Sequence, residues 1–181
     1  NQFYVTKILN LIKNDKTVDK RALIRDCVSL FTAGIDTTST VIEQGILHLT
    51  QNMETQNKIY LELQHYMKTY NKFSINHINE LHYLKAFVHE ILRNQTNVIV
   101  SVPKYIKKTT KLNGYTIKKG SFVQGNHYYI NHSPKHWKHP NTFSIENFLD
   151  NNHKFKQNGA FMTFGYGYRD CMGQSLAMKT L

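Results

Sequence analysis

Thirty residues without a proline, from Val18–Asp19 to about Leu49, hold apolar side chains at helical spacing: Leu23, Ile24, Val28, Leu30, Phe31, Val41, Ile42, Ile46 and Leu49. A helix of that length spans roughly 45 Å, the width of a domain. It predicts a core larger than 181 residues alone supply. Other helical patterns cover 3–13, 53–70 and 81–93, the last preceded by a short turn of helix at 76–80. After Asn94 the period changes. Val98–Val102, Leu112–Ile117 and Ser121–Gln124 are short, partly alternating, and punctuated by Pro103, Asn113-Gly114 and Gly120, which are strand and turn signals. An aromatic coil follows over 131–160, then a glycine-rich loop and a last helix from about Met172. The expected class is mainly α with a small β part. The chain starts at Asn1 and stops at Leu181, each inside an apparent helix, so both ends read as cut.

Composition narrows the function classes. Hydrophobic residues are 40% and charged residues 19%, a globular balance. No run of about 18 apolar residues exists, so no membrane span is expected, and no signal peptide is visible. The formal net charge of +11 raises nucleic-acid binding. Lysines occur in every segment without an arginine-rich helix or a basic tail, so nucleic acid is not the expected partner. Lysine-, asparagine- and isoleucine-rich codon usage accounts for the charge, and a basic face for an acidic redox partner is the second explanation. Cys27 sits in a helical pattern and Cys171 in a glycine loop, which argues against a disulfide framework.

The strongest chemical signal is Phe164-Gly165-Tyr166-Gly167-Tyr168-Arg169-Asp170-Cys171-Met172-Gly173. A cysteine just before a helix N-terminus suits a thiolate, because free N–H groups and the helix dipole favour the anion. Gly165 and Gly167 permit a tight turn with N–H groups aimed at the sulfur. Gly173 leaves room for a flat group, and Arg169 can pair with a carboxylate. An isolated cysteine in a glycine loop is most often a buried, inert thiol. Six positions specified together arise by chance about once in 10⁸ starting points, which decides against that alternative.

This block resembles the cysteine-ligand loop of the cytochrome P-450 family, Phe-Gly-x-Gly-x-Arg-x-Cys-x-Gly, at every fixed position. The resemblance implies haem (iron protoporphyrin IX) with Cys171 as axial ligand of its iron, and Phe164, Arg169 and Gly173 among the cofactor-binding residues. Ala33-Gly34-Ile35-Asp36-Thr37-Thr38, inside the long helix, is similar to the family's oxygen groove. Alone, it reads equally as a helix kink eased by threonines bonding back one turn. With the cysteine loop, Ala33 and Gly34 leave room at the distal face, and Asp36 and Thr37 become the catalytic acid–alcohol pair that relays protons. Glu90 and Arg93, at i,i+3, resemble the family's Glu-x-x-Arg helix, a buried structural pair. His89-Glu90 invites a zinc-protease reading, but position 93 is arginine and the motif fails. The run Asn131-His132-Ser133-Pro134-x-x-Trp137-x-x-Pro140-x-x-Phe143 looks most like animal microsomal members.

Two departures stand out. Ile145-Glu146-Asn147-Phe148 replaces the family's Pro-Glu-Arg-Phe, whose arginine normally completes the Glu90/Arg93 network. Asn147 cannot supply that charge, so the pair is expected to need another donor or partial exposure, at some cost in stability or haem retention. Lys104 stands where microsomal members carry histidine or arginine near a haem propionate; it keeps the charge but loses the bidentate geometry. The clustered His127, His132, His136 and His139 lack a cysteine or carboxylate framework, so a packed coil is expected there rather than zinc.

The resemblance implies one partial domain over 1–181: an oxygen-groove helix at about 19–50, a Glu-x-x-Arg helix at 81–94 and a small sheet at 98–124. The aromatic coil at 131–160, the ligand loop at 161–173 and the start of a final helix at 172–181 complete it. It also implies that the chain is somewhat under half of a haem-dependent monooxygenase that activates dioxygen to oxidise an apolar small molecule. NADPH would act through a flavoprotein reductase, and a membrane anchor upstream would tie the parent to endoplasmic-reticulum-type membranes. The isolated piece is expected to be inactive. The competing expectation is a remnant of the same fold that binds no haem.

Overall fold

The computed structural model describes residues 6, 7, 9, 10, 13 and 19–181. Most of the helix expected over 3–13, and the polar stretch after it, lie outside the described residues. The chain forms two units, Asn1–Ser39 and Thr40–Leu181. Helix α1, Lys20–Gln51, begins in the first and ends in the second. In the first unit, the α1 side chains Ile24, Val28, Phe31 and Ile35 are exposed. The helix is stabilised locally there by Asp19, whose carboxylate accepts from Arg21 N at 2.9 Å.

The second unit is organised around α3, His82–Gln95, seven of whose residues are buried. Leu81 gives this helix no side-chain cap. Glu62 supplies one from α2 (Met53–Tyr70), its carboxylate accepting from Tyr83 N at 2.9 Å and Leu84 N at 3.0 Å. A carboxylate at a helix start also complements the dipole. Helix α2 is capped by Asn52, which accepts from Thr55 N, and stops at Asn71 in the left-handed conformation. Helix α1 meets α3 at Gly45, where an added Cβ would lie 3.0 Å from Ile91 Cδ1 and would have to push that methyl aside.

Ala86, Phe87, Ile91 and Leu92 of α3 pack with Val41, Ile59, Trp137, Ile145 and Phe148 into the core. The aromatic coil supplies much of this: Phe148 is fully buried and meets Phe161 edge-on, with ring centres 5.5 Å apart. His89 sits in the same aromatic nest, its ring 4.5 Å from Phe155 and 5.3 Å from Phe161.

The small β part differs from the expected sheet. It is two separate antiparallel pairs, β1 (Lys104–Tyr105) with β4 (Phe122–Val123) and β2 (Thr110–Leu112) with β3 (Tyr115–Ile117). Val98–Val102 forms only an isolated bridge, Val100 to Asn126, because Pro103 lacks the N–H a continuing ladder needs. Beyond the strands lie α4 (His127–Asn131), 3₁₀ turns at Ile145–Phe148 and Gly167–Arg169, and α5 (Gln174–Thr180). The mainly α class with a minor β part is therefore the observed one. Among the described residues, no helix is long and apolar enough to cross a membrane. Nor do three or more histidine, cysteine, aspartate or glutamate side chains gather there to hold a metal ion.

Candidate cofactor site and its supporting network

The loop from Phe164 to Gly173 closes on itself. Cys171 N donates to Phe164 O at 2.8 Å, Gly165 N to Met162 O at 3.0 Å and Asp170 N to Gly167 O at 3.1 Å. Gly165 and Gly167 take φ of 76° and 78°, which a side chain would strain. A Cβ on Gly165 would make only ordinary contact with the Asp170 Cα, at 3.7 Å, so the constraint there is the backbone angle. The expectation that loop N–H groups aim at the sulfur is corrected in part: the Gly165 and Cys171 amides are used within the loop's own turns. Helix α5 starts at Gln174 rather than Met172, with Gly173 in the capping position and Cys171 two residues earlier.

The Cys171 thiol is free and exposed. A Cβ on Gly173 would stand 3.7 Å from the Cys171 sulfur, so its absence leaves the sulfur open on that side. Phe164 anchors the loop, packing against the core and meeting Phe161 edge-on. Arg169 is exposed at the end of the 3₁₀ turn. One accessible soft sulfur, no side chain at Gly173 and a neighbouring guanidinium are the donor set an iron porphyrin with acidic side arms requires.

The other candidate residues fall in three places. Ala33, Gly34, Asp36 and Thr37 lie in one uninterrupted stretch of α1, so Gly34 does not break the helix. The Thr37 hydroxyl donates to Ala33 O at 2.7 Å, and a Cβ on Gly34 would meet nothing within 4 Å. Lys104 is exposed on β1, opposite Val123. Glu90 and Arg93 are both fully buried in the core.

All five Arg93 N–H donors find acceptors. Nε and Nη2 donate to the two Glu90 carboxylate oxygens at 2.7 and 2.6 Å. Nη1 donates to Asn131 O and Pro140 O, and Nη2 also to Thr142 O. The guanidinium lies 5.3 Å from the Trp137 ring centre, adding a cation–π contact. Glu90 Oε1 accepts further from Ser144 N at 2.8 Å. Burial pushes the Glu90 carboxyl above its ordinary value, while Arg93, Ser144 N–H and Asn147 pull it back.

Likeness to known proteins identifies the family. A family model described as Cytochrome P450 matches residues 1–181. The chain belongs to the cytochrome P450 family. It is 37% identical to cytochrome P450 2L1 of Panulirus argus, over 89% of this chain and 32% of that protein. It is 32% identical to cytochrome P450 2J2 of Homo sapiens, over 88% of this chain and 32% of the relative. Cytochrome P450 71A8 of Mentha piperita matches at 29% identity, over 98% and 36% respectively. This P450 chain thus spans about a third of the length of the curated relatives it matches.

Within the P450 chain, of the two outcomes expected at Asn147, another donor or partial exposure of the pair, the structure shows the first. The pair is not partly exposed. Asn147 Nδ2 donates to both Glu90 oxygens, at 3.1 and 3.3 Å, and to His139 O, while its carbonyl accepts from His139 N at 2.9 Å. A neutral amide replaces the charged donor and also fastens the coil at His139. Asn147→Leu is expected to destabilise the protein by about 1–3 kcal/mol, the cost of buried groups left unpaired. Urea unfolding checks it, and a loss below about 0.5 kcal/mol would remove Asn147 from the network.

Sequence reasoning missed Asn131 as the hub beside this pair. Fully buried, it donates to Thr96 Oγ1 and Thr163 Oγ1, accepts from Met162 N, and offers its backbone oxygen to Arg93. Thr163 in turn donates to Leu92 O at 2.9 Å, tying the residue before Phe164 to the end of α3. Nothing in the pattern around Asn131 marks it beyond its place in the resembling run.

Proposed function

We propose that this chain carries the cysteine-ligand part of a haem-dependent monooxygenase that oxidises an apolar organic substrate. The observation that carries the reading is the open Cys171 sulfur on a self-closed glycine loop anchored by Phe164. Cys171 would hold the iron through its thiolate, and Gly173 leaves space beside it. Arg169 and Lys104 bring positive charge for the propionates. When bound, the iron porphyrin supplies the redox chemistry that cleaves dioxygen and transfers one oxygen atom. Ala33 and Gly34 are the small residues of the family's oxygen-groove motif, on a stretch of α1 where a Cβ on Gly34 would meet nothing within 4 Å. The Thr37 hydroxyl, whose one proton is donated to Ala33 O in this structure, would release that bond to pass the proton on, and the Asp36 carboxyl would replace it. Electrons come from NADPH through a flavoprotein reductase. The parent is membrane-associated, by likeness to microsomal members. The satisfied Glu90–Arg93–Asn147 network supports haem retention over a haem-free remnant.

The test uses the complete protein containing this chain, reduced under carbon monoxide. The long-wavelength absorption band characteristic of a thiolate-ligated carbonyl complex is expected, and Cys171→Ala is expected to abolish it. A band that survives the substitution overturns the ligand assignment, and a protein that takes up no haem overturns the reading.

A further inference from the structure

The sequence places a glycine directly after an asparagine twice, at Asn113-Gly114 and Asn158-Gly159. Such a pair can modify itself. The glycine main-chain nitrogen loses its proton to solvent and attacks the asparagine side-chain carbonyl carbon; a C–N bond forms and ammonia leaves. Water then opens the imide ring at either carbonyl, giving aspartate or isoaspartate. Glycine favours the attack because no Cβ shields its nitrogen. The reaction needs a free side-chain amide, an unpaired glycine N–H, and a backbone loose enough to bring the two together.

The fold treats the two pairs differently. Asn158 is half-buried and held at both ends of its amide: Nδ2 donates to His136 O at 2.8 Å and Oδ1 accepts from Ala160 N at 2.9 Å. Asn113 is exposed at the tip of the β2–β3 pair. Among the described residues neither its amide nor Gly114 N–H has a hydrogen-bond partner. The two strands are three residues each, pair only with one another, and are exposed at every residue but Ile117. A two-stranded hairpin with so little burial opens locally at small cost, and opening lets the turn reach the geometry of attack. Lys111 and Lys118 flank the turn in sequence, and no acidic residue lies between Glu90 and Glu146. That positive surrounding favours the anion formed at the Gly114 nitrogen.

We propose that Asn113-Gly114 is a site of spontaneous conversion to aspartate and isoaspartate, and that the product unpairs β2 from β3. Isoaspartate adds a methylene to the main chain, which a two-residue loop of fixed register cannot absorb. The readout is a peptide mass from a segment other than the cysteine loop, so it stands or falls independently of haem binding. The complete protein is aged at mildly alkaline pH, both folded and in urea, then digested. Peptides carrying Asn113 and Asn158 are followed by mass and chromatographic retention. In the folded protein Asn113 is expected to convert at least about tenfold faster than Asn158, the factor that two net hydrogen bonds withhold. In urea the two rates are expected to converge. Equal rates in the folded protein, or an Asn113 that survives there, overturn the site. A gap that persists in urea assigns the difference to neighbouring residues rather than to the fold, and overturns it as well. Hydrogen exchange over Thr110–Ile117 tests the unpairing: it is expected to be faster in the aged protein than in equally aged Asn113→Gly, which has no amide to lose. Matching exchange in the two overturns that part of the proposal.

Discussion

Arg93→Ala is expected to remove about 3–5 kcal/mol of folding stability, the cost of leaving one member of a buried ion pair alone. That is a large share of the roughly 5–15 kcal/mol typical of a folded domain. Three effects add. The Glu90 carboxylate loses its bidentate partner at zero exposure. The carbonyls of Asn131, Pro140 and Thr142 lose their donors. The face of Trp137 loses its cation. The loss must depend on pH. Burial already raises the Glu90 carboxyl, and without Arg93 it rises further. A carboxyl whose folded value exceeds its unfolded one favours the folded state in its protonated form. The variant is therefore least impaired near the unfolded carboxylate value of 4.5 and loses stability as pH rises toward the folded one, by about 1.4 kcal/mol per pH unit. Glu90→Gln combined with Arg93→Ala is expected to abolish that slope while keeping the cost of the three carbonyls. Denaturant unfolding between about pH 5 and 8 checks both; a flat profile in Arg93→Ala contradicts the buried-carboxylate account.

The second large effect belongs to His89. Burial in its aromatic nest pushes the imidazole from 6.5 down to about 4, and its Nδ1–H donates to Lys85 O at 2.7 Å. At neutral pH the ring is neutral in both states and contributes no pH dependence. Below 6.5 the unfolded chain binds a proton that the folded chain refuses, so stability falls as pH drops from 6.5 to about 4. Over that window the loss reaches about 3 kcal/mol, at roughly 1.4 kcal/mol for each pH unit crossed. His89→Gln can keep the bond to Lys85 O without titrating. The difference in stability between wild type and His89→Gln is expected to change by that amount between about pH 7 and 4. An unchanged difference places the imidazole in contact with water.

The physical reasons for what is readable differ from element to element. Helix α3 is legible because Ala86, Phe87, Ile91 and Leu92 repeat at helical spacing and every one is buried. The turn at Asn113-Gly114 is legible because those residue types tolerate positive φ. The Cys171 loop is legible as a motif, yet the destination of its amides is not, since a glycine's identity does not say which carbonyl its N–H meets. Asn147 misleads for a similar reason. Counting charges shows a missing cation, whereas the fold brings Ser144 N–H and an amide to the same oxygens. Thr96, a β-branched residue at φ 42°, ends α3 where glycine would be expected, because its hydroxyl bonds Arg93 O at 2.6 Å and receives Asn131. No local pattern announces a side chain that is satisfied from 35 residues away.

The reach of the Arg93 network also sets an order of events. Apart from Glu90, its acceptors lie 38, 47 and 49 residues further along, and the Asn147 amide that completes Glu90 is 57 positions on. During synthesis α3 can coil as soon as it leaves the ribosome, but its guanidinium must stay hydrated until the chain through Asn147 has emerged. At about 5–20 residues per second that is a wait of several seconds, in which the apolar face of the helix is displayed beside an unsatisfied charge. Final consolidation of this region is thus tied to translation speed, and a slowed ribosome between residues 93 and 147 prolongs the interval in which chaperones and proteases find it.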